Sequence, residues 1–307
     1  MSGTYNFVRN GLEDTYGILK LQDKILEIMV DLDRFCSENN ITYFLMGGSA
    51  LGAVRHQGFI PWDDDLDIFM PYKDYVRFIK LCETKLDKKK YYLQVEDSDE
   101  LPYFFSKVRM NGTTFIDEVN LNRGNVHKGI YVDVMCLNNA APKGLRRYIQ
   151  YKIATLLRAS SFTKLPEYRA TGKKAFAIWL AKLLVHGSVK KFFLKTVRKY
   201  NNRQTEDVAH VFGRAKFKNA YYPSFLFNNQ RYVQFEQVKL AVPNGVEEYL
   251  SIRYGQDYMK MPSEEVKASY KAHCAKWDTE VDYRNYLENN DGLKDCVCKE
   301  KARDIQH

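Results

Sequence analysis

The chain lacks a long apolar run, a leader-like start and a disulfide framework. Its 307 residues contain no uninterrupted stretch of 18 apolar residues, the length that indicates a membrane-spanning helix. The first 20 residues are polar, so we expect no signal peptide. The six cysteines are scattered, at positions 36, 82, 136, 274, 296 and 298. Scattered cysteines fit a reducing compartment, and we expect a cytoplasmic protein.

Cysteine and histidine also fail to form a common metal-binding pattern. Cys296 and Cys298 stand close together, and His273 is next to Cys274. This spacing matches none of the frequent structural zinc patterns, so a zinc site is disfavoured. No internal repeat is visible, and 45% hydrophobic with 28% charged residues is the composition of a globular protein. The length suits one large domain, or one domain with a sizeable insertion.

Acidic residues are nearly missing from positions 143–199. This window holds 15 Lys and Arg residues against a single acid, Glu167, while the whole chain has a net charge of +9. Such a concentration of charge indicates an anionic partner or surface. The apolar run 175–185, which contains Trp179, suits a helix lying in a lipid interface. A core helix with a solvated basic face remains an alternative, and nucleic acid is disfavoured because no nucleic-acid module is recognisable.

The most informative segment spans positions 47–69. Gly47 and Gly48 follow the apolar run 41–46, and a glycine turn between a strand and a helix presents backbone N–H groups that suit a phosphate. Downstream, alternation along a strand puts Asp65 and Asp67 on one face. Two carboxylates on one face need a cation between them, and Mg²⁺ usually arrives with substrate phosphates. The acidic run alone is more typical of a solvated loop, but its apolar neighbours favour a buried site.

A third acid occurs in a similar setting. Asp133 lies between Val132 and Val134 in the β-branched run 129–135, which predicts a strand. A strand-borne aspartate between two valines is a poor surface residue. Asp133 is therefore a candidate third metal ligand, or a base, beside the first pair.

Helical and strand patterns are mixed along the chain. Asn111–Gly112 predicts a hairpin turn between two of the strands, and such pairing favours an α+β fold with a mixed β-sheet flanked by helices. The predicted strands cover 41–46, 66–70, 91–95, 104–110, 113–117, 130–135, 232–235 and 238–242, and the predicted helices cover 18–35, 50–55, 72–86, 245–253 and 263–273.

Four parts follow from these patterns. We expect a catalytic core over 1–140, a basic helical insertion over 141–228, the C-terminal part of the core over 229–280, and a polar tail over 281–307. The insertion is mostly helical in its pattern, and the tail after Trp277 is polar and expected to be loose.

These motifs resemble the LicD family of phosphocholine transferases, which includes fukutin and its ribitol-phosphate-transferring relative. The glycine pair with Ser49, then Asp-Leu-Asp, then Val-Asp-Val is similar to the three-acid signature of the nucleotidyltransferase fold. The longer string over 51–67 is much more specific to LicD. The resemblance is strong over 20–135 and moderate over 230–275. Positions 134–137, Val-Met-Cys-Leu, lack the proline that often follows the third aspartate in this family.

The resemblance implies transfer of a phospho-alcohol, phosphocholine first, from a CDP-activated donor to a glycan hydroxyl with release of CMP. Asp65 and Asp67 would hold Mg²⁺ (or Mn²⁺), and Asp133 would complete the metal site or take the acceptor's proton. A lipid-linked acceptor at the inner face of the membrane would explain the basic apolar segment. The substrate-binding residues implied are Gly47, Gly48 and Ser49 as a phosphate cradle, and Arg55, Lys107 and Arg109 as counter-charges.

Several assignments stay open at this level. Arg55 could pair with the acidic run instead of a substrate, and His56 could serve structure or substrate equally well. Trp62 either packs under the metal loop or faces the alcohol, while Asp63 and Asp64 are expected to shape the loop. Two other functions use the same fold, a nucleotidyltransferase that leaves the nucleotide on its acceptor and a non-catalytic scaffold. Ethanolamine, glycerol and ribitol are alternative alcohols.

Overall fold

The computed structural model describes residues 14–117, 123, 126–165, 168, 170–269 and 274–288. Within these ranges runs of strands and runs of helices follow one another, as the α+β prediction requires. The helices are α1 (Leu19–Glu38), α2 (Gly47–His56), α3 (Tyr72–Lys85), α4 (Leu145–Phe162), α5 (Gly172–Leu184), α6 (Gly187–Val197), α7 (Val246–Tyr254), α8 (Glu264–Ser269) and α9 (Tyr283–Glu288). The strands are β1 (Phe44–Leu45), β2 (Asp67–Pro71), β3 (Tyr91–Gln94), β4 (Ser106–Met110), β5 (Thr114–Asp117), β6 (Tyr131–Asn139), β7 (Asp207–Ala209), β8 (Tyr221–Pro223), β9 (Gln230–Phe235), β10 (Val238–Pro243) and β11 (Cys274–Asp278).

The main sheet is mixed, with strand order β1-β2-β6-β4-β3. Only β2 and β6 run parallel in this order, and the other neighbouring pairs are antiparallel. The end of β6 also pairs with β7, which pairs with β8. β6 therefore lies in the middle of the sheet and contacts three other strands. The predicted fold class is confirmed.

Helices cover one face of this sheet. Tyr75 of α3 makes a 2.8 Å hydrogen bond to Ser106 of β4, and Ser106 is in register with Val134 of β6. Residues in register share a face, so α3 packs on the face that carries Val134. Because side chains alternate along a strand, Asp133 points to the opposite face. The apolar side of β6 thus faces the helices, and the side that carries Asp133 faces away from them.

The apolar periodicity of α1 is used as the sequence predicts. Leu21, Ile25, Ile28, Met29 and Leu32 repeat at helical spacing and are buried in the main core. Each such side chain contributes about 1.5–3 kcal/mol when it is fully removed from water. The helix ends at Glu38 with Asn39 as its C-cap, and Asn40 adopts a left-handed conformation with φ of 52°. That residue turns the chain toward β1.

The predicted hairpin at Asn111–Gly112 is wrong. The chain does turn there, with Gly112 at φ +73°, but β4 pairs with β3 and β6 while β5 pairs with β11. The amide of Met110 donates to the carbonyl of Ile130, so the chain entering β6 lies where the hairpin partner would be. A turn signal identifies a reversal of the chain, but it does not choose the partner strand.

Two further boundaries differ from the prediction. Gly47 and Gly48 form the first turn of α2 and do not precede it, although Gly47 keeps a left-handed φ of +53°. Trp277 lies in β11 and is followed by α9, so the segment up to residue 288 is more ordered than the composition indicates.

The segment 141–228 combines helices with short strands. Its helices α5 and α6 each pack on α4, and a second, smaller apolar cluster includes Ala154 and Leu157 of α4 and Val197 of α6. Phe104 and Ala140, from outside the segment, belong to the same cluster. Residues 207–223 then supply β7 and β8, which extend the main sheet.

Ion pairs attach these helices to the loop after β3. Arg198, which directly follows α6, donates to both oxygens of Glu96, at 2.6 and 2.9 Å. Lys190 pairs with Asp97, and Lys164 pairs with Asp99. Part of the positive charge predicted for an external anion is therefore neutralised within the chain. Among the described helices, none combines the length and the apolar character needed to cross a bilayer.

Candidate active site

Three neighbouring strands align three charged residues in one row. Asp67 of β2 is in register with Asp133 of β6, and Asp133 is in register with Lys107 of β4. The Lys107 ammonium lies 2.6 Å from Oδ1 of Asp133, which confirms that both side chains occupy the same face. Burial lowers the pKa of Lys107, and the Asp133 carboxylate opposes this shift. The row explains how residues 66 positions apart in sequence reach one site.

The surroundings of Asp67 disfavour its negative charge. Its backbone N–H donates to the Ser49 hydroxyl oxygen at 2.8 Å, and its Oδ1 is buried without a hydrogen-bond partner. Burial raises the pKa of Asp67 well above its ordinary value, and Asp65, Asp133 and Asp63 raise it further in that order. A buried carboxylate oxygen surrounded by other carboxylates requires a cation or a proton.

The start of α2 lies against these acids. A Cβ at Gly48 would meet Oδ2 of Asp63 at 2.7 Å, and a Cβ at Gly47 would lie 3.9 Å from Oδ2 of Asp67. The glycines therefore permit a close approach of helix and carboxylates. The Gly47 amide donates to the hydroxyl of Tyr249 at 2.8 Å, and the amides of Gly48 and Ser49 complete the first turn, whose N–H groups have no intrahelical acceptor.

The acidic loop before β2 forms a cluster of its own. One oxygen from each of Asp63, Asp64 and Asp65 lies within 4.8 Å of the other two. Asp64 is only 3% exposed and accepts a 3.0 Å hydrogen bond from the amide of Cys274, which fits the loop-shaping role predicted for it. Asp65 lies in the segment that enters β2, two residues before Asp67.

The two predicted arginines make contacts within the protein. Arg109 is 2% exposed, and it donates 2.6 Å hydrogen bonds to Gln94 and to the carbonyl of Gly129. Its guanidinium also lies 4.7 Å from the ring centroid of Tyr131. Arg55, at the far end of α2, donates to the carbonyls of Tyr258 and Lys260. Within the described residues, both guanidiniums therefore brace the fold around the site.

The structure thus brings most of the predicted residues together. The start of α2 lies beside the charged residues of the site, which are Asp65, Asp67, Asp133 and Lys107, and contributes Gly47, Gly48 and Ser49. Arg109 lies two residues after Lys107 in β4, and Arg55 lies near the other end of α2. Tyr249 and Tyr254 of α7 were not predicted from the sequence to belong to the site. A Cβ at Gly47 would lie 3.6 Å from the Tyr254 hydroxyl, so both tyrosines border the glycine turn.

The donor set fits a divalent cation. Carboxylate oxygens are the ligands that Mg²⁺ prefers, and the partnerless Oδ1 of Asp67 lies among three other carboxylates. The zinc pattern weighed in the sequence involves His273, Cys296 and Cys298, which lie outside the described residues, whereas Cys274 donates its amide to Asp64.

Comparison with known proteins identifies the domain that contains this row. Residues 40–134, from the approach to β1 through the first half of β6, match the model of the LicD/FKTN/FKRP nucleotidyltransferase domain. The chain carries a LicD-family domain. The resemblance predicted from the motifs is confirmed, and the LicD domain contains each of the acids and the lysine described above.

Relatives extend the similarity beyond the LicD domain. A lipopolysaccharide cholinephosphotransferase LicD of Haemophilus influenzae is 29% identical over 255 residues, covering 80% of this chain and 94% of the relative. Two uncharacterized proteins match short segments: one from Rickettsia typhi is 46% identical over 54 residues, 18% of each chain, and one from Rickettsia prowazekii is 48% identical over 50 residues, 16% of this chain and 19% of its own.

Proposed function

We propose that this chain transfers phosphocholine from CDP-choline to a hydroxyl of a lipid-linked glycan and releases CMP. The observation that carries the proposal is the row Asp67–Asp133–Lys107 at the start of α2, inside a LicD domain. The Haemophilus influenzae relative, named a lipopolysaccharide cholinephosphotransferase, supports the choice of choline and of a lipopolysaccharide-like acceptor.

Each residue of the site would have its own role in this transfer. Asp65, Asp67 and Asp133 would hold one or two Mg²⁺ (or Mn²⁺) ions, which supply charge neutralisation for the donor diphosphate. The amides of Gly48 and Ser49 would face a phosphate oxygen at the positive end of α2. Lys107 would hold Asp133 in place and balance part of the charge. Arg109 and Arg55 would stabilise the fold around the site and would not contact the phosphate.

The reaction itself breaks one bond and forms one. The acceptor hydroxyl oxygen would attack the phosphorus that carries choline, and the bond from that phosphorus to the CMP oxygen would break. The hydroxyl proton would leave to a carboxylate of the row or to water, and CMP would depart with the electron pair. Positioning and electrostatic stabilisation provide most of the catalysis in phosphoryl transfer.

We propose that the protein acts at the cytoplasmic face of an anionic membrane. Phe176 and Trp179 of α5 are 62% and 55% exposed, and their helix carries lysines and no acid. An amphipathic helix of this kind suits the boundary between lipid headgroups and acyl chains. Such a location would bring the site to a lipid-linked acceptor.

A binding screen and product analysis test the function. We expect CDP-choline with Mg²⁺ to raise the melting temperature more than CDP-ethanolamine, CDP-glycerol, CDP-ribitol or plain nucleotides, because only the true donor binds the folded state tightly. Released CMP should then equal the phosphocholine on the acceptor. A nucleotide that remains attached to the acceptor would identify a nucleotidyltransferase instead, and stabilisation by no CDP-alcohol would overturn the proposal.

A further inference from the structure

Trp62 carries a cation on its ring, directly beside the acidic cluster. The ammonium of Lys267 lies 5.3 Å from the centroid of the indole, within the range of a cation–π interaction. Tyr16 and His56 contact the same indole edge-on, at 5.9 and 6.3 Å between centroids. The residue that follows Trp62 in sequence is Asp63, whose carboxylate lies against the start of α2.

We propose that Trp62 binds the quaternary ammonium group of the donor, and that the Lys267 ammonium occupies this place in the ligand-free protein. Aromatic faces bind quaternary ammonium ions because the ring quadrupole attracts a cation that is easily desolvated. This inference rests on the proposed function, and it gives that function a residue that selects the alcohol.

The reach of phosphocholine fits this arrangement. Four bonds separate its phosphorus from its nitrogen, a span of roughly 5 Å at about 1.5 Å per bond. Trp62 adjoins Asp63, whose carboxylate lies against Gly48 at the start of α2, and its indole contacts the ring of His56 at the end of that helix. A donor whose diphosphate lies at the acidic cluster would therefore reach the indole by extending its alcohol along α2.

Lys267 can leave the indole without losing its ion pair. Its ammonium also lies 2.6 Å from Glu264, one turn earlier in α8, and the Glu264 side chain is 85% exposed. A donor with a cationic alcohol replaces the ammonium that it displaces. A donor with a neutral alcohol, such as CDP-glycerol or CDP-ribitol, would leave Lys267 where it is and gain nothing from Trp62.

Substitution of Trp62 provides the first test. We expect Trp62→Leu to weaken CDP-choline binding by about 5- to 30-fold, the size of a cation–π contact, and to change CDP-glycerol binding by less than about twofold. Trp62→Phe should retain part of the selectivity. Titration calorimetry with Mg²⁺ measures both donors on each variant. Equal loss for the two donors would mean that Trp62 only supports the loop, and the inference would be wrong.

Substitution of Lys267 provides a test by gain of affinity, which misfolding cannot produce. Lys267→Met removes the competing ammonium, so CDP-choline should bind several-fold more tightly while CDP-glycerol does not. Lys276→Met is the matched control, because the ammonium of Lys276, in β11, lies 3.9 Å from the ring centroid of Tyr286 in α9 and so makes its cation–π contact with a different ring. A similar gain in the control, or none in Lys267→Met, would contradict the displacement.

A titration with choline chloride separates this inference from the proposed function. The indole N–H resonance of Trp62 should shift with choline or tetramethylammonium chloride and not with glycerol. If no CDP-alcohol binds but this resonance still shifts, the donor assignment fails and the ammonium site stands. If CDP-choline is used as donor and neither the resonance nor the Trp62→Leu selectivity changes, the function stands and the ammonium site is refuted.

Discussion

Charge at Asp67 is the main feature of the site at the scale of single residues. Its Oδ1 is buried without a hydrogen-bond partner, and burial, followed by three neighbouring carboxylates, raises the pKa of Asp67. The strand register that brings Asp133 and Lys107 beside it could not be read from local sequence, because Asp67 and Asp133 are 66 positions apart. The residue types themselves could be predicted, since a strand-borne aspartate has few roles other than binding.

Asp67→Asn should abolish transfer and leave the fold intact. The amide removes a metal ligand, so turnover should fall by about 100-fold or more. It also removes a buried like charge, so the melting temperature without Mg²⁺ should hold or rise. Thermal shift with and without Mg²⁺ checks both points, with Asp257→Asn as the control because Asp257 is an exposed partner of Lys260. Near-normal turnover would refute the metal assignment, and Asp65→Asn should behave in the same way.

Asp133→Asn distinguishes a ligand from a base. Because Lys107 already occupies Oδ1 of Asp133 and the register places Asp133 beside Asp67, we expect a ligand, and donor affinity with Mg²⁺ should fall together with turnover. Titration calorimetry measures the affinity. Full donor affinity with lost turnover would identify Asp133 as the base, and an active variant would exclude both roles.

At the scale of elements, apolar periodicity predicted most of the helices, whereas the pairing of the strands was harder to predict. The apolar spacing of α1 is local and was sufficient to locate that helix. The partner of β5 is β11, more than 150 residues away, and no turn signal reports such a pairing. The glycine pair was expected to precede α2 and instead begins it, because Gly47 can adopt a positive φ and still start a helical turn.

The exposed side of α5 should bind anionic vesicles. Each lysine near such a surface contributes about 1 kcal/mol, roughly a fivefold change in partition. We expect Lys173→Glu with Lys182→Glu, or Trp179→Ser with Phe176→Ser, to reduce flotation with phosphatidylserine vesicles strongly. Transfer to a short soluble acceptor should hardly change, because the acids lie in other elements. Higher salt should imitate the lysine variants by screening.

Lys190→Gln is the matched control for this experiment. Lys190 belongs to the same basic window but pairs with Asp97, so its loss should lower thermal stability more than vesicle binding. Absence of salt-dependent vesicle binding by the unmodified protein would rule out the membrane surface and leave the transferase proposal intact.

At the scale of the whole molecule, we expect two buried histidines to make the fold sensitive to acid. Burial lowers the pKa of His210 to about 3, with Arg253 and Arg158 adding to the effect. Burial, with Arg109 next, lowers the pKa of His127 to about 4. The unfolded chain binds a proton at each near pH 6.5, so stability is complete above that pH and declines below it, down to the folded pKa values.

Each histidine should therefore reduce the free energy of unfolding by about 2 kcal/mol between pH 7 and pH 5. Urea denaturation at pH 7, 6 and 5 measures this slope. His210→Asn lowers stability at pH 7 but should flatten the slope, since the titrating group is gone. His186→Asn, at an exposed position, should leave the slope unchanged. A slope that His210→Asn does not alter would show that other groups cause the acid sensitivity.

The central position of β6 has a consequence for how the chain acquires its structure. The sheet cannot form from segments that are close in sequence, because β6 pairs with β2 and with β7. β2 lies 60 residues earlier in the sequence, and β7 lies about 70 residues later. Contacts so distant in sequence form slowly and cooperatively. Asp67, Lys107 and Asp133 thus come together in the step that closes the sheet, and amides of β2, β4 and β6 should become protected from hydrogen exchange in one kinetic phase during refolding. We therefore expect a molecule that has not passed this barrier to lack the assembled row Asp67–Asp133–Lys107.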